Sequence, residues 1–185
     1  AMAEQYEEFG ILQIDAHCDL RKAYEGFNYS HASIMYNALE EVPQIKKIVQ
    51  VGIRDYCDEE LDYVSNSNGR VSIFFDRDIK AAFYEGKNWS EVVDEIVEKL
   101  PKNIFISFDI DGLDPKLCPN TGTPVQGGLE TEQVFYLFKK MRAAGKKIIA
   151  FDLNEVGVSR DEWDENVAAR ILYRLCNLLI DSNPQ

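Results

Sequence analysis

Five short apolar runs recur along the chain and predict the strands of a sheet. Each is a nearly continuous stretch of aliphatic and aromatic residues, which is typical of parallel strands whose two faces are both covered. The runs cover residues 11–15, 48–53, 71–75, 104–109 and 147–153.

Helical patterns, with apolar residues three or four positions apart, fall between the later runs. One begins near Ser90, which we expect to cap it. A second begins at Thr131, predicted as its cap, and a third covers about 164–180. The opening residues 1–9 also look helical. A further helix is expected to begin at about residues 30–33.

Strands that alternate with helices are joined by right-handed crossovers in parallel sheets. The chain has 185 residues, a length that suits one domain with a sizeable core. The sequence therefore predicts one α/β domain over residues 1–185, a three-layer α/β/α sandwich with a mainly parallel sheet.

Charge and composition narrow the set of partners. The net charge is −12, and an acidic surface repels phosphate backbones, so we expect no nucleic-acid partner. The most apolar stretch, near 171–180, contains Arg174 and is too short for a bilayer, so no membrane partner is expected. Four scattered cysteines without a C-x-x-C pair favour reduced thiols and a cytoplasmic protein.

Acidic side chains follow two of the predicted strands at alternating positions. Asp15 ends the first run and is followed by His17 and Asp19, and Asp109 ends the fourth run and is followed by Asp111. In an extended segment alternate side chains share a face, so each set is expected to converge. Ligands bind beyond the carboxyl ends of strands in open α/β sheets.

Four carboxylates packed at buried strand ends would repel one another. Divalent metal ions remove that repulsion, and carboxylate oxygens with one imidazole suit manganese, magnesium or iron better than a structural zinc. Two metals that share aspartates are the natural count. For any single aspartate, a helix cap or a turn is the alternative interpretation.

These motifs resemble those of the ureohydrolase family, which includes arginases, agmatinases and formimidoylglutamases. The resemblance extends through 121–128 and 152–156. It implies an arginase-like α/β/α fold and a binuclear Mn²⁺ centre. It also implies hydrolysis of a guanidino or formimino carbon–nitrogen bond by a metal-bridging hydroxide, and a homo-oligomer.

The resemblance also assigns metal-binding roles to single residues. Asp15 and Asp109 would bridge the two metals. His17 and Asp111 would complete one metal site, and Asp19 would serve the other.

Four further residues would act on the substrate. His31 resembles the histidine that passes protons to the leaving amine, and Glu155 resembles the glutamate that receives the guanidinium. Thr123 and Glu60 would contribute substrate contacts. The alternatives are a histidine at a helix start, an ordinary strand-end carboxylate, and a turn-rich loop over 121–128.

Three departures from the family pattern affect the expected activity. The family carries a metal-binding histidine in an upstream Gly-Gly-Asp/Glu-His segment, whereas this sequence has only two histidines. We therefore expect a C-terminal portion of a longer ureohydrolase. Cys57 stands where arginases have an aspartate, and Arg21 is typical of formimidoylglutamases. Glu155 precedes Val-Gly-Val rather than the usual Val-Asn-Pro or Val-Ala-Pro.

The sequence leaves several functions open. The leading prediction is a urea-releasing hydrolase, agmatinase-like or arginase-like, with a small cationic guanidino substrate. A formimidoylglutamase-like hydrolase with a formimino substrate is the first alternative. A metal-poor scaffold without catalysis is the second. A zinc deacylase is disfavoured by the spacing of Asp109, Asp111 and Asp114.

Overall fold

The sheet has five strands, and every neighbouring pair is parallel. The computed structural model describes residues 1–183. All five predicted runs are confirmed as strands. They are β1 (Phe9–Ile14), β2 (Ile45–Ile53), β3 (Val71–Phe75), β4 (Asn103–Asp109) and β5 (Lys147–Asn154).

Seven α-helices are present within residues 1–183. They are α1 (Met2–Gln5), α2 (Ile34–Glu41), α3 (Asp58–Asn66), α4 (Asp76–Tyr84), α5 (Trp89–Lys99), α6 (Thr131–Ala143) and α7 (Trp163–Ser182). Short 3₁₀ turns cover His31–Ser33 and Ile110–Gly112. Among these residues, no helix combines the length and the hydrophobicity that a membrane span requires.

Two predicted helix caps are wrong by one or two positions. Asn88, not Ser90, caps α5, because its side chain accepts a hydrogen bond from the Glu91 amide at 3.2 Å. Thr131 is the first residue of α6, and Glu130 precedes it as the cap. A side chain that reaches back to the free amides decides the boundary in each case.

The predicted opening helix is also too long. Only Met2–Gln5 is helical. Phe9 is buried and pairs with Ile45 at the start of β1 and β2, so strand pairing determines its conformation.

Two hydrophobic cores lie on opposite faces of the sheet and confirm the three layers. Leu12, Val49 and Ile106 face the core shared with α4 to α7. Ile11 and Ile48, one position away, face the core shared with α1 to α3. Side chains alternate between faces along a strand, so both faces must be apolar.

The strand order is β3-β2-β1-β4-β5. The first three strands extend in one direction from β1, and the chain then crosses to β4 on the other side. The order therefore reverses between β1 and β4, and such a switch point opens a crevice at the carboxyl ends of the strands.

Candidate metal centre

The acidic motifs meet at this switch point. Ile14 of β1 pairs with Phe108 of β4, so Asp15 and Asp109, which follow those residues, are neighbours at the end of the sheet. Both are buried, with 1% and 7% of their surface exposed. Two aspartates that are 94 positions apart along the chain thus share one site.

A close approach between two backbones shapes the site. A Cβ atom on Gly112 would lie 2.7 Å from the amide nitrogen of Asp15, which leaves room for glycine alone. Beside it, the Ala16 amide donates a hydrogen bond to Asp111 Oδ1 at 3.3 Å. The 3₁₀ turn after β4 is therefore docked directly on the turn after β1.

The five predicted ligands form two sets, and in each set the ligand atoms lie within 4.8 Å of one another. One set contains Asp15, His17 and Asp111, and the other contains Asp15, Asp19 and Asp109. Asp15 belongs to both, as a bridging ligand must. Asp109 belongs to one set, so its predicted bridging role stays a prediction.

Convergence does not arise from an extended segment, as the sequence had suggested. β1 ends at Ile14, and Asp19 has a φ of +55°, in the left-handed region. The turn brings Asp19 back towards Asp15. An aspartate in this region is uncommon and adds strain, which is found most often at functional sites.

Burial and mutual repulsion dominate the electrostatics of one set. Burial raises the pKa of Asp15. Burial and the nearby Asp15 carboxylate raise the pKa of Asp19 to about 9 and that of Asp109 to about 8. The three carboxyl groups resist ionisation together, and a cation between them would relieve that resistance.

The other set contains an ion pair. His17 Nδ1 lies 3.3 Å from oxygens of both Asp15 and Asp111. Burial alone would lower the pKa of His17, but hydrogen bonds with Asp111 and Asp15 outweigh it and raise the value to about 10. Against the effect of its own burial, the pKa of Asp111 is lowered by His17.

The residues present fit a divalent metal. Asp109 Oδ1 is buried and has no hydrogen-bond partner within residues 1–183, which is costly for a carboxylate oxygen unless a cation meets it. The donor set is carboxylate oxygen with one imidazole nitrogen. Hard ions such as Mn²⁺ and Mg²⁺ prefer such donors, whereas structural zinc prefers thiolates.

A cavity of about 560 Å³ opens above the ligand sets, a typical size for a small-molecule site. It brings together the four residues predicted to act on the substrate. They are His31, Glu155, Thr123 and Glu60, and the wall also includes Arg21, Tyr24, Asp55, Tyr56, Asp152 and Asn154.

His31 lies at the exposed rim of the cavity. It begins the 3₁₀ turn that leads into α2, so the helix-start interpretation is correct and compatible with a role in the cavity. Its ring packs edge-to-face on Tyr24, with centroids 5.4 Å apart. That contact restricts the imidazole at the solvent boundary.

Glu155 follows β5 and also has a left-handed backbone, with a φ of +60°. The Thr121 hydroxyl donates to the Glu155 carbonyl at 2.8 Å. Gly157 passes so close to the Asn120 carbonyl that no side chain would fit. The departure at Val-Gly-Val therefore docks the end of β5 on the 121–128 loop, and Glu155 reaches the cavity.

Thr123 connects that loop to the candidate metal ligands. Its hydroxyl donates to Asp111 Oδ2 at 3.1 Å. The residue thus orients Asp111 and lines the cavity at once. The predicted substrate contact of Thr123 is compatible with this bond and stays a prediction.

Glu60 has a structural role that the sequence analysis did not predict. Its buried carboxylate accepts hydrogen bonds from the Leu20 amide and the Cys57 amide, both at 2.9 Å. It closes the capping box of α3 and fixes the turn after Asp19. A substrate contact of Glu60 stays a prediction, but it must compete with these two bonds.

Three polar residues beneath the site have structural roles that the sequence did not predict. Arg54 donates to the carbonyl oxygens of Asp111, Leu113 and Val125 at 2.6–3.1 Å. These bonds hold the turn after β4 and the 121–128 loop against the end of β2. Gln13 is buried beside Asp15, and Gln50 is buried beside Gln13. A polar residue inside an otherwise apolar strand run was the available signal for both glutamines.

Fold and site together define a class of protein: a parallel α/β sandwich with an acidic candidate site for divalent metals at its topological switch point. The sequence profile of the arginase family matches residues 1–177. The chain belongs to the arginase family. The ureohydrolase resemblance is thereby confirmed.

Curated relatives carry names that agree with this family. The chain is 36% identical over 179 residues to the N(1)-aminopropylagmatine ureohydrolase of Thermus thermophilus, covering 96% of this chain and 56% of that protein. It is 30% identical over 173 residues to the agmatinase of Halalkalibacterium halodurans, covering 91% and 54%. The chain thus spans about half the length of the curated relatives it matches.

Solved structures show the same fold. The proclavaminate amidino hydrolase of Streptomyces clavuligerus superposes with a TM-score of 0.79 at 26% identity, covering 98% of this chain and 58% of that chain. A hypothetical agmatinase of Burkholderia thailandensis gives 0.74 at 27% identity, covering 98% and 53%. The arginase-like fold is confirmed.

Proposed function

We propose that this chain carries the metal-binding core of a manganese-dependent ureohydrolase that cleaves a guanidino carbon–nitrogen bond and releases urea. The observation that carries the proposal is the pair of ligand sets that share Asp15, since the four other members of these sets line the cavity. The same cavity is lined by His31 and Glu155, the two residues that the resemblance assigns to the substrate.

The metal-binding roles follow the two ligand sets. Asp15, His17 and Asp111 would hold one ion, and Asp15, Asp19 and Asp109 would hold the other. When bound, such ions supply a water-derived nucleophile near neutral pH and offset negative charge in the transition state. The predicted count of two Mn²⁺ belongs to this proposal.

Acidic residues of the cavity would bind and orient the substrate. Glu155 presents a carboxylate to the cavity, and a carboxylate accepts two parallel hydrogen bonds from a planar guanidinium. Asp55 and Asp152 add negative charge to the wall, which attracts cations. The relatives' names, agmatinase and aminopropylagmatine ureohydrolase, support a cationic guanidino substrate.

Proton transfer would fall to His31. It lies at the exposed rim and lines the cavity, so it can exchange protons with solvent and reach a leaving amine. A histidine is well suited to this step because the imidazole ring can both accept and donate a proton at its nitrogens.

Two alternative functions are compatible with the same site. Arg21 lines the cavity and could pair with a substrate carboxylate, which favours a formimidoylglutamase-like reaction as the second candidate. The two ligand sets contain one histidine, and a metal-poor scaffold would be the outcome if these ligands alone bind too weakly. The predicted cytoplasmic location and homo-oligomer stay predictions.

The test is an assay of the intact protein after reconstitution with Mn²⁺. Urea release from agmatine and from arginine, and formamide release from N-formimidoylglutamate, are measured on one sample. We expect turnover of agmatine above the other two substrates. The Glu155→Gln variant should keep its metal and lose turnover, and absence of turnover with all three substrates would contradict the proposal.

A further inference from the structure

Two buried glutamines lie side by side beneath the candidate metal centre. Gln13 of β1 and Gln50 of β2 are register partners in the parallel sheet. Their side chains are 1% and 0% exposed. A buried amide needs hydrogen-bond partners for both its nitrogen and its oxygen, so the partners determine which way each amide points.

The orientation of Gln50 is set by two acceptors. Its Nε2 donates to Gln13 Oε1 and to the carbonyl oxygen of Cys18, both at 2.6 Å. If the Gln50 amide were turned over, its Oε1 would face these two acceptor oxygens, and no hydrogen bond would form. The nitrogen of Gln50 must therefore face Gln13 and Cys18.

The orientation of Gln13 follows from that of Gln50. Because Gln13 Oε1 accepts from Gln50, its Nε2 faces the carboxylate of Asp15, and it donates to Asp15 Oδ2 at 2.8 Å and to the His17 carbonyl oxygen at 3.3 Å. The other oxygen of Asp15, Oδ1, accepts from the His17 amide at 2.7 Å. Both oxygens of Asp15 are thus held by hydrogen bonds from neighbouring groups.

An unpaired atom shows that this arrangement is not optimised for stability alone. Gln50 Oε1 is buried without a hydrogen-bond partner within residues 1–183. An unsatisfied buried oxygen opposes folding, and an apolar residue would pack in the same layer without that cost. The hydrogen bonds of the two amides lead instead to Asp15, the one aspartate that both ligand sets share.

We propose that Gln13 is a positioning residue for the shared ligand Asp15, and that Gln50 acts through Gln13 by fixing the direction of its amide. The inference rests on the proposed metal centre. Without Gln50, the Gln13 oxygen loses its donor, and the amide is held only through its nitrogen, so its contact with Asp15 is less firmly placed. Loss of either glutamine then weakens metal binding through one and the same contact.

The test is a titration of the intact metal-free protein with Mn²⁺ alone, in which isothermal titration calorimetry measures the binding affinity. The variants are Gln13→Met, Gln50→Met and the double variant. Each single change should weaken Mn²⁺ binding by about tenfold, the usual effect of losing a partner that orients a metal ligand. The double variant should bind no more weakly than Gln13→Met, because the two residues act in series.

Gln133→Met is the matched control, since Gln133 accepts a hydrogen bond from the Glu130 amide at the start of α6 and lies outside the cavity lining. It should leave Mn²⁺ affinity unchanged. Thermal unfolding of the metal-free variants reports separately on the fold. If Gln13→Met does not fold, Gln13→Asn replaces it, because the shorter amide no longer reaches Asp15 and the same weakening is expected.

Unchanged affinity in the Gln13 variant would overturn the inference, and so would a double variant whose loss equals the sum of the single losses in free energy. Failure of the proposed function gives a different result. In that case the unmodified protein itself takes up no Mn²⁺.

Discussion

The two central strands have two parts that are equally buried and chemically opposite. Their bodies are formed mainly by buried apolar side chains, and their carboxyl ends carry buried acids. The apolar set is Leu12, Ile14, Ile106 and Phe108, and the acidic set is Asp15, Asp109 and Asp111. The change from apolar to acidic side chains occurs between consecutive residues, Ile14 and Asp15 in one strand and Phe108 and Asp109 in the other.

Burial has opposite effects on the free energy in the two parts. Removal of apolar surface from water stabilises the fold, whereas removal of a carboxylate from water destabilises it unless a cation compensates. The strand bodies therefore provide stability, and the strand ends use part of it to hold a site. Four substitutions separate the two contributions, and their expected effects decrease from the first to the last.

Phe108→Ala tests the contribution of the strand bodies. The ring is fully buried and packs edge-to-face on Phe138, with centroids 6.4 Å apart. We expect the free energy of unfolding to fall by about 3–5 kcal/mol, from lost burial and a residual cavity. Urea denaturation measures it, and a loss below about 1 kcal/mol would show that the core is not where we place it.

The His31→Asn variant tests whether the rim of the cavity contributes to turnover without contributing to metal binding. We expect turnover to fall about 100-fold, the effect of a lost proton-transfer group, while Mn²⁺ affinity is unchanged. His17→Asn is the matched comparison, since His17 belongs to a ligand set and its loss should weaken Mn²⁺ binding. Steady-state kinetics and metal titration give both readings; equal effects of the two changes on affinity would refute the assignment.

Asp109→Asn tests the strand ends in protein freed of metal by chelation. The pKa of Asp109 is raised from 3.8 to about 8. Between these values the unfolded carboxyl group is ionised and the folded one keeps its proton, so stability falls as pH rises from about 4 to 8. Asp19, with a raised pKa of about 9, acts in the same direction.

The variant removes one of these carboxyl groups, so its decline in stability should be shallower. At pH 8 it should be more stable than the unmodified metal-free protein by on the order of 2 kcal/mol. Thermal melts at several pH values measure the effect. An Asp109→Asn protein that is less stable than the unmodified one at pH 8 would contradict the account.

Asn88→Ala tests a part of the molecule remote from the site. Loss of the side-chain cap of α5 should lower the free energy of unfolding by about 1 kcal/mol. Mn²⁺ affinity should not change. A measurable loss of Mn²⁺ affinity would mean that metal binding depends on the stability of remote parts of the fold, contrary to the division described above.

The same contrast explains how much the sequence could predict. The strands were predictable because runs buried on both faces are apolar at nearly every position. The five candidate ligands were predictable because their spacing places acids at strand ends. Helices α3 and α4 were not predicted, since each begins with acidic residues and carries few buried apolar ones.

Contacts between distant segments account for what the sequence did not predict. The two backbone bonds of Glu60 depend on where Leu20 lies after folding. The link from Gln50 to Gln13 depends on strand register. The left-handed conformation of Asp19 breaks the alternation that local spacing predicts.

The most direct test of the central claim is the Mn²⁺ content per chain of the intact protein, measured by elemental analysis after reconstitution and removal of free metal. The unmodified protein should hold two Mn²⁺ per chain. Asp15→Asn should hold less than one, because both ligand sets lose their common member. Equal metal content in the two proteins would contradict the claim that the buried strand ends form a metal centre.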